Sequence, residues 1–182
     1  MVVGGRVAYV HSSNLNLPNI LTSLRIVLVP VFAWLVLSGH AWWSLGLFVA
    51  LMITDKLDGD IARKHNIVTD FGKIADPIAD KALMISALVC LNIIGRLPVW
   101  ITVVIVTREL GITLWRMVKL RQGKVVAASK GGKIKTTLQA LAVALLLAPL
   151  DWPVMWVMYA AVIVTVFTGV QYIVDSRRIE QR

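Results

Sequence analysis

Asp55-Lys56-Leu57-Asp58-Gly59-Asp60-Ile61-Ala62-Arg63 and, after eight intervening residues, Gly72-Lys73-Ile74-Ala75-Asp76-Pro77-Ile78-Ala79-Asp80 interrupt two strongly apolar segments with eight charged side chains. The spacing is D-x2-D-G-x2-A-R-x8-G-x3-D-x3-D. On a helix, positions i, i+3, i+4 and i+7 share a face, so Asp55, Asp58, Gly59 and Ala62 form one stripe. Gly72, Asp76 and Asp80 repeat at i, i+4 and i+8 as a second stripe. The two helices are consecutive, antiparallel and joined by a short loop, so the stripes are expected to face each other. Four carboxylates gathered at the margin of an apolar layer repel one another unless a cation or protons intervene. Oxygen-only ligands favour Mg²⁺, Mn²⁺ or Ca²⁺ over zinc, and Mg²⁺ usually completes its shell with water and substrate phosphates. A diphosphate-bearing substrate is therefore implied.

Any one such Asp is more ordinarily a helix cap or an interfacial residue. Asp60 and Asp70 are read that way, with Asp70 able to cap the third helix. Pro77 either kinks that helix or stands at the first position of a later start after Asp76, and the sequence leaves both open.

Working outward, 58% of the 182 residues are hydrophobic and 16% charged, with a mean hydropathy of +0.76. That is more apolar surface than a soluble domain of this size can bury, so lipid is the expected solvent. Six segments approach the roughly 20 residues needed to cross the hydrocarbon core: 19–38, 41–64, 71–95, 98–119, 134–150 and 153–175. The purely apolar parts of the second and third (41–54 and 82–95) are short. Each reaches full length only by including its Asp motif, which puts the carboxylates near one membrane interface. The expected fold is all-α: an integral membrane protein of six transmembrane helices. Residues 1–18 form a cytoplasmic tail or surface helix without the pattern of a cleavable leader, 19–176 the membrane domain, and 177–182 a basic tail.

Of 19 Lys and Arg residues, only Arg96 lies in the three short connections at 38–40, 95–98 and 150–153. The others lie toward the opposite ends of the spans. By the positive-inside rule, both termini and the Asp motifs are cytoplasmic, in a cell (plasma) membrane. Trp42, Trp43, Trp100, Trp152 and Trp156 gather toward the other face, as an aromatic belt does. The net charge of +9 is then a topology signal and an attraction to anionic lipid. Nucleic-acid binding is not expected, because no soluble domain remains to carry it. The single Cys90 excludes an internal disulfide. His11, His40 and His65 share no metal-ligand spacing, and Gly111 and the alanines at 140, 142 and 144 read as ordinary helix packing in a membrane.

The Asp pattern, with every specified position present, resembles the signature of the CDP-alcohol phosphatidyltransferases. Three further segments extend the likeness over about residues 16–178, toward the phosphatidylglycerophosphate synthase branch: Asn16-Leu17-Pro18-Asn19-Ile20-Leu21-Thr22-Ser23-Leu24-Arg25, Thr107-Arg108-Glu109-Leu110-Gly111 and Ser129-Lys130-Gly131-Gly132-Lys133-Ile134-Lys135-Thr136. The resemblance implies a homodimer of six-span chains with a polar cavity open to the cytoplasm. The reaction it implies is displacement of CMP from CDP-diacylglycerol by sn-glycerol 3-phosphate.

It also implies roles. Asp55, Asp58, Asp76 and Asp80 hold Mg²⁺ or Mn²⁺, two ions, and Asp80 takes the proton from the attacking hydroxyl. Spacing alone treats Asp76 and Asp80 alike. Gly59, Ala62 and Gly72 give close approach to CDP-diacylglycerol, Arg63 pairs with its phosphates, and Asn19, Thr22 and Thr69 contact the nucleotide, Asn19 reading equally well as a cap. The dianionic acceptor calls for a basic pocket, for which Arg108, Arg116 and Lys135 are the candidates, with Arg25 buried in the first span as a further cation. The ordinary reading of these arginines is pairing with Glu109 or snorkelling to the interface. Other alcohols, such as inositol phosphate or phosphatidylglycerol, keep the same chemistry. A small cation or proton carrier would place its acids near the midplane rather than at span ends, and a structural adaptor would leave the acids unexplained.

Overall fold

The computed structural model describes residues 17–65, 70–121, 130–150 and 154–180, with side chains described at 23–55, 81–115, 117–118, 134–150 and 154–174. Six helices follow in order: α1 Leu17–Leu37, α2 Ala41–His65, α3 Asp70–Ile93, α4 Val99–Arg121, α5 Lys130–Leu147 and α6 Met155–Glu180. No strand occurs among the described residues. Many of these segments are rich in Val and Ile, which in water favour strands. As helices they satisfy their backbone donors and acceptors within themselves, the arrangement an apolar surrounding favours.

The expected segments and the observed helices agree in number and order, with shifted ends. α5 begins at Lys130, ahead of the expected 134, and α6 runs on to Glu180. α3 is continuous from Asp70 through Pro77, so a later start after Asp76 does not occur. By length and apolarity alone, one described segment, Met155–Val174, is able to cross a bilayer. Within the described side chains, Ser23–Leu37, Ala41–Asp55, Lys81–Ile93 and Ile134–Leu147 are further apolar helical stretches.

The core is apolar, but the exterior is apolar too and several polar side chains lie inside. Val27, Trp43, Trp156, Ile163 and Phe167 are among many large apolar side chains turned outward, whereas Arg25, Lys135, Gln139, Thr165 and Thr168 are buried. An apolar exterior around an apolar core that also encloses a few polar groups is compatible with lipid as the surrounding solvent.

α1 lies against both α2 and α3, whose mutual contact is marginal among the described residues, and α5 packs on α6, α2 and α3. Phe32 and Phe48, both buried, meet across α1 and α2 with ring centroids 5.9 Å apart. Cys90 is buried in α3 among apolar neighbours. Gly111 is exposed, and a Cβ there would meet no other atom, so within this chain it is not a packing glycine.

One end of the bundle is closed by compact turns. α1 and α3 end alike, with Gly39 (φ 78°) and Gly95 (φ 72°) in the left-handed region. The following amides, His40 N–H and Arg96 N–H, reach back to the carbonyls of Leu35 and Leu91. This is the 6→1 pattern that satisfies orphan helix-end carbonyls, and glycine enters the required φ without strain. At the same end Trp100 stacks on Tyr159 (6.3 Å, 12°), and Trp156 meets Tyr159 edge-on (6.0 Å, 79°). The exposed Trp42 and Trp43 complete the aromatic girdle there, while Trp152 lies outside the described residues.

Arg96, the single cation at this end, has a structural task. Its Nη1 donates to the carbonyls of Leu146 and Ala148 at 3.0 Å each. A cation on the last carbonyls of α5 caps that helix and complements its dipole, which accounts for the exception to the charge asymmetry.

Candidate active site

The two motif helices carry their acids through unbroken helical backbone. Asp55 and Asp58 stand three residues apart on α2, and Asp76 and Asp80 four apart on α3, so each helix presents a pair separated by about one turn. Of the four, the Asp55 side chain is described. It is about one-third exposed and accepts an ion-paired hydrogen bond from Arg25 Nη1 on α1. Arg25 itself is 2% exposed. Arg25, expected as a further cation within the first span, thus meets a signature aspartate. The physical reason is packing, since α1 lies directly on α2 and carries its buried cation to the nearest carboxylate.

The side chains of Asp58, Ala62, Arg63, Asp76 and Asp80 lie outside those described, as do those of Asn19, Thr22 and Arg116; Thr69 lies outside the described residues altogether. Gly59 and Gly72 fall on the helical backbone of α2 and α3. Among the described residues no cluster of three metal-ligating side chains occurs. The donor set that the two helices carry is nonetheless all oxygen and paired at one-turn spacing, which fits a hard divalent cation.

Two of the three basic residues named for the acceptor, Arg108 and Lys135, meet at Glu109, which for Arg108 is the pairing its ordinary reading expects. Arg108 on α4 and Lys135 on α5, 27 residues apart, both address Glu109 Oε1, Arg108 Nη1 at 3.2 Å and Lys135 Nζ in a closer ion pair. Lys135 is 5% exposed and Glu109 20%. Two cations on one carboxylate oxygen leave a net positive charge in a largely desolvated place, a suitable environment for a phosphate.

α4 and α5 contact each other only marginally, so the Glu109–Lys135 pair spans a gap between them. That gap is a cavity of about 40 Å³ between α3, α4 and α5. Lys81, Glu109, Lys135 and Gln139 form its polar side, with Met84, Leu88 and Ile105 opposite. It is roomy enough to hold water against its polar side.

α6 closes the constellation from behind. Arg108 Nε donates to Thr165 O and Nη2 to Thr168 Oγ1, each at 3.2 Å. Gln139 Nε2 on α5 donates to Thr165 Oγ1 at 2.8 Å, and that hydroxyl donates onward to Ala161 O at 2.6 Å. Three helices are thus tied pairwise by polar side chains: α4 to α5, α5 to α6, and α6 to α4. Lys81, Gln139, Thr165, Thr168 and Gly169 were not singled out from the sequence. A signal was present, because Thr165, Thr168 and Gly169 recur at i, i+3 and i+4, a narrow polar and small stripe on a long apolar helix.

A profile of the CDP-alcohol phosphatidyltransferase family matches residues 15–167. The chain is 46% identical over 173 residues to a protein of Mycobacterium tuberculosis named probable phosphatidylglycerophosphate synthase, a match covering 90% of this chain and 82% of the relative. It is 39% identical over 179 residues to the CDP-diacylglycerol–glycerol-3-phosphate 3-phosphatidyltransferase of Bacillus subtilis, covering 86% of this chain and 93% of the relative. The protein of the same name in Escherichia coli is 34% identical over 178 residues, covering 89% and 95%.

Proposed function

The chain belongs to the CDP-alcohol phosphatidyltransferase family, and from that premise we propose that it makes phosphatidylglycerophosphate and CMP from CDP-diacylglycerol and sn-glycerol 3-phosphate. The observation that carries this reading is the agreement, over most of their lengths, with relatives that bear that activity in their names. The cationic pair on Glu109 supports the acceptor class independently, since a dianionic phosphate monoester needs paired cationic donors.

The acceptor hydroxyl attacks the phosphorus next to the glyceride. The new oxygen–phosphorus bond forms as the bond to CMP breaks, CMP leaves with the bridging oxygen, and the hydroxyl proton passes to Asp80. Asp55, Asp58, Asp76 and Asp80 would hold the divalent cations, Mg²⁺ or Mn²⁺, whose chemistry when bound is to neutralise the pyrophosphate. Arg25 pairs with Asp55 from α1 and helps to hold that carboxylate in one orientation. Gly59, Ala62 and Gly72 leave room for the cytidine diphosphate, Arg63 pairs with its phosphates, and Asn19, Thr22 and Thr69 contact the nucleotide. Arg108, Arg116 and Lys135 receive the acceptor phosphate and bring its hydroxyl into line.

The molecule spans a cell membrane six times, as a homodimer. The aromatic girdle and the Gly39 and Gly95 turns face outward, and the aspartates face the cytoplasm. The bundle's cytoplasmic half surrounds a polar cavity open to a water-soluble acceptor.

The test supplies the purified chain, in mixed micelles with CDP-diacylglycerol and Mn²⁺, with glycerol 3-phosphate, inositol phosphate or phosphatidylglycerol in turn. CMP release that requires glycerol 3-phosphate is the expected result. Release with one of the other alcohols and none with glycerol 3-phosphate would reassign the acceptor.

A further inference from the structure

Gly169 lies in the middle of α6 with no positive φ, where glycine is disfavoured relative to alanine. The structure supplies a spatial reason for it rather than a conformational one. A Cβ at residue 169 would stand 3.2 Å from both Cγ and Nε of Arg108, closer than ordinary van der Waals contact. Arg108 therefore rests on bare α6 backbone, and its position is fixed on either side of that contact by Thr165 O and Thr168 Oγ1.

The part of Arg108 that is held matters for what the rest can do. Nε and Nη2 form one edge of the planar guanidinium, and that edge is committed to α6. Nη1 turns to Glu109. A guanidinium has five N–H donors, of which three are engaged among the described residues and two remain. A phosphate is best gripped by two parallel donors in one plane, so whatever fixes that plane fixes the approach of the anion. Thr165 and Thr168 are 0% and 6% exposed. Each donates its own hydroxyl proton to α6 backbone, Thr165 to Ala161 O and Thr168 to Val164 O, which turns the Thr168 oxygen into an acceptor aimed at Arg108.

We propose that Thr165, Thr168 and Gly169 are positioning residues: a seat on α6 that sets the plane of the Arg108 guanidinium and thereby the affinity for the anionic acceptor. The proposal rests on the assignment of Arg108 to the acceptor pocket. It predicts that a helix carrying none of the signature aspartates controls acceptor recognition through contacts no longer than a methyl group. At 3.2 Å the two hydrogen bonds already lie at the long end of the N–H···O range, so a displacement of a few tenths of an ångström at residue 169 breaks them.

The experiment measures KM for glycerol 3-phosphate, KM for CDP-diacylglycerol and kcat for Gly169→Ala, Thr168→Val and Thr168→Ser, in the wild-type chain and in an Arg108→Ala background. Gly169→Ala and Thr168→Val should each raise the acceptor KM by roughly 5-fold, the effect of about one lost hydrogen bond. The donor KM and kcat should move by less than about twofold on the same reckoning, and Thr168→Ser, which keeps the hydroxyl, should restore the acceptor KM. In the Arg108→Ala background neither Gly169→Ala nor Thr168→Val should add anything, because the crowded atoms are gone. An unchanged acceptor KM in Gly169→Ala, with Arg108→Ala raising it, overturns the seat and leaves the acceptor reading standing. Equal effects in both backgrounds also overturn it, since that is the mark of general packing. An Arg108→Ala chain with normal acceptor KM removes the acceptor reading and the seat together. Should Gly169→Ala fail to assemble, the Thr168→Val and Thr168→Ser pair decides by the same criteria.

Discussion

Removing the Arg108 guanidinium tests the acceptor pocket most directly, and the structure sets the size of the effect. Three of its five donors are tied to Thr165, Thr168 and Glu109, which leaves two for an anion. A hydrogen bond to a charged group is worth roughly 1.5–3 kcal/mol. The side chain is 15% exposed, so the lower end applies and two bonds come to about 3 kcal/mol, on the order of 100-fold in kcat/KM for the acceptor. Arg108→Ala should show that loss mainly as a raised KM for glycerol 3-phosphate, with the KM for CDP-diacylglycerol nearly unchanged. Arg108→Lys should recover about a tenth of it at most, because an ammonium keeps the charge but cannot hold Thr165 O, Thr168 Oγ1 and two phosphate oxygens in one plane. The assay is product formation in mixed micelles with each substrate varied at saturating levels of the other, with thermal melting in detergent as the control for folding. A raised donor KM with an unmoved acceptor KM would refute the assignment and transfer Arg108 to the nucleotide side.

Asp58→Ala and Asp76→Ala should each abolish turnover while the protein still inserts and purifies normally; full activity in either would remove the metal assignment. Chelation by EDTA should stop CMP release and added Mn²⁺ or Mg²⁺ should restore it, whereas activity that survives exhaustive chelation would sink divalent-cation catalysis. Glu109→Ala deprives the 5%-exposed Lys135 ammonium of its partner and should destabilise the chain by roughly 3 kcal/mol, read as a lowered melting temperature, and an unchanged melt would mean that the pair contributes little. Arg96→Ala removes the cap on the α5 carbonyls and should cost about 1 kcal/mol of stability with no change in either KM, so a kinetic effect there would contradict a purely structural role.

The six helices were legible because hydropathy and helical period are local properties that add along the chain. The Gly39 and Gly95 turns follow the apolar runs they end, and the charge asymmetry separates the two ends of the bundle without reference to any contact. Arg108 and Lys135 were named from the sequence as cations, with Glu109 as a possible partner of Arg108, but that both share Glu109 only the packing of α4 and α5 reveals. The α6 seat went unread because two threonines and a glycine in an apolar helix look like packing residues until the neighbour that lies on them is known.

By itself the sequence determined the fold class, the order of the helices, the Asp signature at its fixed spacing and the family to which that signature points. Tertiary structure alone decided the partners: Arg25 with Asp55 across 30 residues, Arg96 with the end of α5 across about 50, and Arg108 with α6 across 57 and 60. The difference is physical. A helix is specified by backbone hydrogen bonds within each turn and by the solvent around it, whereas a buried cation takes whichever acceptor the packing of other helices brings within about 3 Å.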